Sequence, residues 1–239
     1  RTDVLDVIRE LEVPLVRYPG GNFVSSYFWE DGVGSKSTRN KKLEPAWRSV
    51  ETNEFGTDEF MKWCEKVGTS PMLAVNLGTR GLGDALNYLE YCNVPGGTYY
   101  SDMRISNGHF EPYKVKYWCL GNEMDGKWQI GYKSAAEYAD LAAKTGKAMK
   151  TVDPDIELVV CGSTNTSMKS FPDWETTLLE KTYYIADYLS AHIYMGDYTK
   201  NINDYMASTY AMENSIKSIL SVCDYAKIKS RESKDIKIS

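Results

Sequence analysis

The chain has 239 residues, 42% of them hydrophobic and 26% charged, with a formal net charge of −5, a balance that suits one large α/β domain with a substantial core. The acidic excess argues against nucleic acid or an anionic membrane as partner, since both call for basic patches, and no apolar stretch reaches the roughly twenty residues needed to span a bilayer. The five cysteines (Cys64, Cys92, Cys119, Cys161, Cys223) are scattered without a CxxC pair and the two histidines, His109 and His192, stand far apart, so the chain reads as a cytoplasmic protein with reduced thiols, no metal and no cofactor.

A helical pattern with Val4, Leu5, Ile8 and Leu11 on one face runs from Arg1. Apolar runs of strand length then recur at Val13–Tyr18, Met72–Leu77, Val115–Leu120, Ile156–Cys161, Tyr188–Ile193 and Ile236–Ile238. Helical patterns lie between them at Asp58–Val67, Gly83–Cys92, Ala135–Val152, Trp174–Thr182 and Tyr205–Lys229. The helix from Ala135 has a capping box in Ser134 and Glu137 and a stop in Asp153–Pro154. No repeat, low-complexity tract or Gly/Ser linker divides the chain, so residues 1–239 read as one domain. The opening lacks an initiator Met, a signal peptide and a leading strand, and Asp235–Ser239 reads as the first half of a strand. Both ends therefore read as cut.

Alternation of strands and helices predicts a parallel sheet, either doubly wound or closed into a barrel. Polar residues follow nearly every strand: Arg17 and Asn22, Asn76, Asn122–Glu123, Ser163 and Asn165, then His192 and Tyr194. A barrel gathers all such ends at one mouth, whereas an open sheet concentrates its site at one switch point. The expected fold is an α/β TIM (β/α)8 barrel, incomplete at both ends, with about six of eight strands present.

The segment Gly121–Gly131 (GNEMDGKWQIG) follows the third apolar run. An Asn–Glu pair at the C-terminal end of a barrel strand is where such enzymes keep catalytic groups. Enclosed by Tyr117, Trp118 and Trp128, the Glu123 carboxyl would be desolvated towards its protonated form and could act as a general acid. The plainer alternative is a helix cap or a pair with Lys127. The same stretch fits G-x-x-x-x-G-K, but Trp128 stands where a magnesium-binding hydroxyl is needed, and Glu123 and Asp125 would repel a phosphate. Nucleotide binding is excluded on those two grounds.

Arg17, at the start of RYPGG, should point into the barrel mouth, where it could fix a carboxylate or form a structural salt bridge. Phe28–Gly34 (FWEDGVG) reads as an exposed aromatic and acidic loop. Trp47 lies in a long polar stretch and reads either as a sugar-stacking platform or as part of a small satellite core. Asn76 and Tyr194 suit hydroxyl recognition or the satisfaction of buried backbone groups. His192, between apolar neighbours, reads as a hydrogen-bonded core histidine. Eighteen Tyr, six Trp and six Phe suit flat, weakly polar ligands such as sugars.

Taken together, RYPGGNFVSSYFWEDGVG, ETNEFGTDEFM, AVNLGTRG, WCLGNEMDGKWQIG, IELVVCGS and DYLSAHIY resemble glycoside hydrolase family 51, and specifically its bacterial intracellular α-L-arabinofuranosidases. The resemblance runs from about Arg1 to Ser239. It implies a (β/α)8 barrel followed by a β-sandwich absent from this chain. It also implies a retaining hydrolase that removes terminal arabinofuranosyl groups from arabinoxylan, arabinan or derived oligosaccharides. By the same resemblance Glu123 is the acid/base and Asn122 holds the sugar 2-hydroxyl. Arg17, Asn22 and Tyr194 are further substrate-binding residues, and Trp47 lies on the leaving-group side. The family's nucleophile is the Glu of a Phe-Asp-Glu-Trp-Asn sequence, which would fall beyond Ser239, so the chain alone is expected to be inactive. The family's enzymes are commonly hexamers, and a homo-oligomer is expected of a full-length protein. Tyr132 and Asn40 depart from the family pattern and bear on leaving-group preference. Two rival readings are a related β-glucanase or β-xylosidase barrel, and a carbohydrate-binding or decayed barrel without hydrolysis.

Overall fold

The computed structural model describes residues 2–239; Arg1, the start of the helical pattern expected from the sequence, lies outside them. In chain order the elements are α1 (Thr2–Glu10), β1 (Leu15–Tyr18), the hairpin strands β2 (Lys42–Glu44) and β3 (Ser49–Glu51), α2 (Thr57–Val67), β4 (Ser70–Val75), α3 (Leu82–Asn93), α4 (Tyr99–Ser106), β5 (Tyr117–Leu120), α5 (Ala135–Val152), β6 (Glu157–Cys161), α6 (Asp173–Thr182), β7 (Tyr188–Ser190), α7 (Ile202–Ser230) and β8 (Lys237–Ile238). Six strands pair in the order β1-β4-β5-β6-β7-β8, every pair parallel. With the crossover helices on its outer face, this curled sheet is part of a (β/α)8 barrel.

The near-continuous apolar strands are explained by burial on both faces. Side chains alternate along a strand, so Met72, Ala74, Cys119 and Val159 turn inward and meet Leu15, Tyr117 and Tyr188. Their neighbours Leu73, Val75, Trp118, Leu120, Leu158 and Val160 turn outward and pack under the helices. α5 lays Tyr138, Ala139, Ala142 and Met149 onto this outer layer. The Tyr138 hydroxyl donates to the Leu120 carbonyl (2.7 Å) and accepts from the Cys161 amide (2.8 Å), while its ring stacks on Trp174 at 5.4 Å. One side chain thus ties two neighbouring strands to two helices.

The capping box at the start of α5 is present: Ser134 Oγ accepts from the Glu137 amide, and Glu137 Oε2 accepts from the Ser134 amide at 2.9 Å. Ser134→Ala should destabilise the fold by about 1 kcal/mol. The check is a lower urea midpoint at an unchanged denaturant slope.

Three local features differ from the sequence reading. The Phe28–Gly34 stretch is not an exposed aromatic loop: Trp29 is 1% exposed, stacked 5.1 Å from Tyr88, and Glu30 is held by both terminal nitrogens of Arg80. The hairpin β2–β3 falls in a stretch too polar and too short to announce strands. α4 offers only a short apolar face, Tyr100 and Met103 packed on the core, and is anchored by Arg104. That buried guanidinium donates to the carbonyls of Tyr91, Val94, Pro95, His109 and Phe110.

Candidate active site

At the C-terminal ends of the strands lies a cleft of about 470 Å³, within the range of small-ligand sites. Six residues expected from the sequence line it: Arg17, Asn22, Trp47, Asn122, Glu123 and Tyr194. Gly21, Trp128, Thr164 and His192 complete the wall.

Arg17 shares the inward parity of Leu15 on β1, which brings its guanidinium to the mouth. It does not fix a carboxylate there. Its Nη2 donates to Asn122 Oδ1 at 3.1 Å, orienting an amide that is itself 1% exposed. With that oxygen engaged, Asn122 turns its Nδ2, which has no hydrogen-bond partner among the described residues, away from Arg17. Asn22 reaches across the floor and donates from Nδ2 to the Trp128 carbonyl at 3.4 Å. Trp47 and Tyr194, 70% and 80% exposed, stand on the rim. Trp47 is therefore not part of a satellite core. Asn76, by contrast, serves the backbone: its Oδ1 accepts from the amides of Gly78 and Thr79, and its Nδ2 donates to the Tyr27 carbonyl.

Glu123 sits just past β5 with φ of +43°, a left-handed conformation that costs a residue with a side chain about 1–3 kcal/mol and clusters at functional sites. The surrounding loop is pinned at three points. The Gly126 amide closes a turn on the Glu123 carbonyl at 2.9 Å. Asp125 accepts from the Thr164 amide (3.1 Å) and hydroxyl (2.7 Å) at the end of β6. Gly131, at φ +71°, lies so close to Gly78 that a Cβ there would stand 2.2 Å from the Gly78 carbonyl oxygen, so only glycine fits.

Both carboxylate oxygens of Glu123 are engaged. His192 Nδ1 lies 2.8 Å from Oε1, and the Trp128 indole N–H donates to Oε2 at 3.1 Å. Burial pushes this carboxyl upward. The hydrogen bonds from His192 and Trp128, with the charge of His192, outweigh that push and hold it below the ordinary glutamate value. This corrects the expectation of a carboxyl raised by enclosing rings. Only Trp128 of the three rings reaches it: Trp118 faces the helix layer and donates its N–H to the Val115 carbonyl, and Tyr117 packs on Tyr188 inside the sheet. Neither a helix cap nor Lys127 takes the carboxylate.

His192 is likewise not a core histidine. It stands two residues before Tyr194, and period-2 alternation puts both side chains on one face. That signal, applied to the AHIY stretch, finds it. Trp128 and Thr164 lie in loops, where no periodicity announces them.

Comparison with known proteins agrees with this geometry. Residues 7–211 match the family model described as an α-L-arabinofuranosidase 1 domain. The chain is 53% identical, over its whole length and 48% of the other protein, to an intracellular exo-α-(1→5)-L-arabinofuranosidase of Acetivibrio thermocellus. Among solved structures it is similar to a family 51 α-L-arabinofuranosidase from Bifidobacterium longum, with a TM-score of 0.97 at 46% identity, covering 100% of this chain and 48% of that one. An arabinose complex of the Thermotoga maritima α-L-arabinofuranosidase gives 0.90 at 39% identity, covering 97% of this chain and 46% of that one. The chain thus spans about half the length of the proteins it matches.

Proposed function

Because the chain belongs to the α-L-arabinofuranosidases of glycoside hydrolase family 51, we propose that it supplies the acid/base half of an exo-acting, retaining arabinofuranosidase site. One observation carries this reading: Glu123, gripped by His192 and Trp128, stands in the cleft that gathers Arg17, Asn22, Asn122, Trp47 and Tyr194.

In a retaining glycosidase one carboxylate attacks the anomeric carbon while a second carboxyl, about 5–5.5 Å away, protonates the departing oxygen. The protonating group then takes a proton from the water that releases the sugar. Glu123 suits the second role. Its low-lying carboxyl is at first sight the wrong state for an acid, but a second negative charge at that separation favours the protonated form. Once the nucleophile is consumed in the glycosyl-enzyme, the push disappears and Glu123 can accept a proton. Asn122, fixed by Arg17, is placed to hold a hydroxyl of the sugar, with Asn22 and Tyr194 beside it. Trp47 offers a flat face to the leaving group.

Among the described residues, Glu123 is the single carboxylate lining the cleft. We place the nucleophile in a longer protein that carries this chain, as the length of the relatives supports. The substrates proposed are terminal arabinofuranosyl groups of oligosaccharides or of arabinan and arabinoxylan. The compartment is the cytoplasm, in line with the relative named intracellular, and the assembly a homo-oligomer.

The test is arabinose release from an aryl arabinofuranoside and from arabino-oligosaccharides, by the full-length protein and by residues 1–239 alone. Release by the first and none by the second is expected. Release by the short chain would overturn the placement of the nucleophile, and binding without release by the long one would turn the site into a recognition module.

A further inference from the structure

We propose that Glu44 is a positioning residue that sets preference on the leaving-group side, by fixing the hairpin tip that carries Trp47. The proposal rests on the arabinofuranosidase reading above. Glu44 is 4% exposed, and no cation lies within ion-pair distance of it among the described residues. A buried carboxylate in that situation is held by hydrogen bonds or not at all. Its Oε2 accepts from the Trp47 amide at 2.6 Å, and its Oε1 accepts from the Ala46 amide at 3.1 Å and from the Ser26 hydroxyl at 2.8 Å.

Those partners join two walls of the cleft. Ser26 closes the helical turn Gly21–Ser26, which carries Asn22, whereas Ala46 and Trp47 form the turn between β2 and β3. The hairpin has little else to hold its tip. Its strands pair only with each other, and Leu43 and Val50 are 73% and 65% exposed. Behind it lies a cavity of about 210 Å³ edged by Phe23, Tyr27, Phe28 and Ile130 rather than a packed core. Its other ties act away from the tip: Arg39 donates to the Asn53 carbonyl and Asn53 to the Asn40 carbonyl at the base, and Lys42, at the start of β2, pairs with Asp31 and lies over the Phe28 ring. Glu44 is thus the tie between the tip and the sugar-binding turn. A side chain 70% exposed can stack on a sugar reproducibly only if its backbone is fixed.

Glu44→Ala in the full-length protein should lower the ratio of kcat/KM for an arabino-oligosaccharide to that for an aryl arabinofuranoside by about tenfold, mainly through KM. That is the size of one lost charge-assisted hydrogen bond. Glu44→Gln should recover only part of it: the amide oxygen still accepts from Trp47 and the NH2 can donate to Ser26, but that NH2 faces the Ala46 N–H, which loses its acceptor. Adding Trp47→Ala to Glu44→Ala should cost nothing further, because both remove the same contact. Amide exchange at Ala46 and Trp47 should accelerate in Glu44→Ala while exchange in β4 and β5 stays slow. A folded variant with an unchanged ratio, equal losses on both substrates, additive losses in the double variant, or unaltered exchange would overturn the proposal. Should Glu44→Ala fail to fold, an unchanged ratio and unchanged exchange in Glu44→Asp, whose shorter side chain withdraws the carboxylate from the Ala46 and Trp47 amides, would do the same. A wild-type protein that releases no arabinose defeats the hydrolase reading instead, and the exchange experiment still decides whether Glu44 holds the tip.

Discussion

Glu123→Ala in the full-length protein is expected to lower turnover of arabino-oligosaccharides by about 10²–10⁴-fold, the usual contribution of a positioned general acid and base. The loss should depend on the leaving group. A sugar alkoxide leaves only when protonated, so its departure needs Glu123. An activated phenolate leaves unaided, so an aryl arabinofuranoside should form the glycosyl-enzyme at near its normal rate. Removal of that intermediate still requires a base to deprotonate water, and the variant should stall there. Two measurements follow: a burst of phenol before a slow steady state, and acceleration of that steady state by azide, an anion that attacks without losing a proton. The azide product should keep the anomeric configuration of the substrate. Equal losses on both classes of substrate, without a burst or azide response, would give Glu123 another role. The Trp128 and His192 contacts would then serve only to hold a strained loop.

The barrel portion was legible because burial on both faces makes its strands apolar, and the polar residue after each strand marks the mouth. Of the six strands, each begins or ends within about two residues of the sequence reading. The hairpin and α4 were not legible, because their anchors are single polar side chains, Glu44 and Arg104, that no periodicity marks. The candidate site was legible where a motif sits at a strand end: Arg17, Asn122 and Glu123 meet as the pattern implied, though Arg17 grips an amide and not a carboxylate. The charge state of Glu123 is not legible in the sequence, for a physical reason. Rings that neighbour Glu123 in the sequence suggest an enclosed carboxyl, but alternation along β5 sends Trp118 to the other side of the sheet. The group that decides the balance is His192, about seventy residues further along the chain and adjacent only in the fold.

His192→Ala should move the Glu123 carboxyl upward and lower turnover by about 10–100-fold, the range for loss of a hydrogen bond to a charged group. Burial raises this carboxyl, and the contacts from His192 and Trp128 reverse the shift. Without His192, burial is opposed mainly by Trp128 and should prevail. Two consequences can be measured. A carboxyl lowered in the folded state contributes stability above its unfolded value, near pH 4.3, and that contribution fades as pH falls through the folded value. The wild type should therefore exceed the variant in stability by more at pH 7 than in acid below the lowered value, where both carboxyls are protonated. In catalysis the acid must hold a proton, so the alkaline limb of kcat reports its ionisation. Raising the carboxyl moves that limb to higher pH even as the maximum falls, because the proton is held more firmly while the side chain is aimed less well. A limb that stays put or moves to lower pH, with a Glu123 carboxyl carbon that titrates as in the wild type, would show that His192 does not govern the proton. The low carboxyl would then have to come from Trp128 alone, and Trp128→Phe would be the variant that moves the limb.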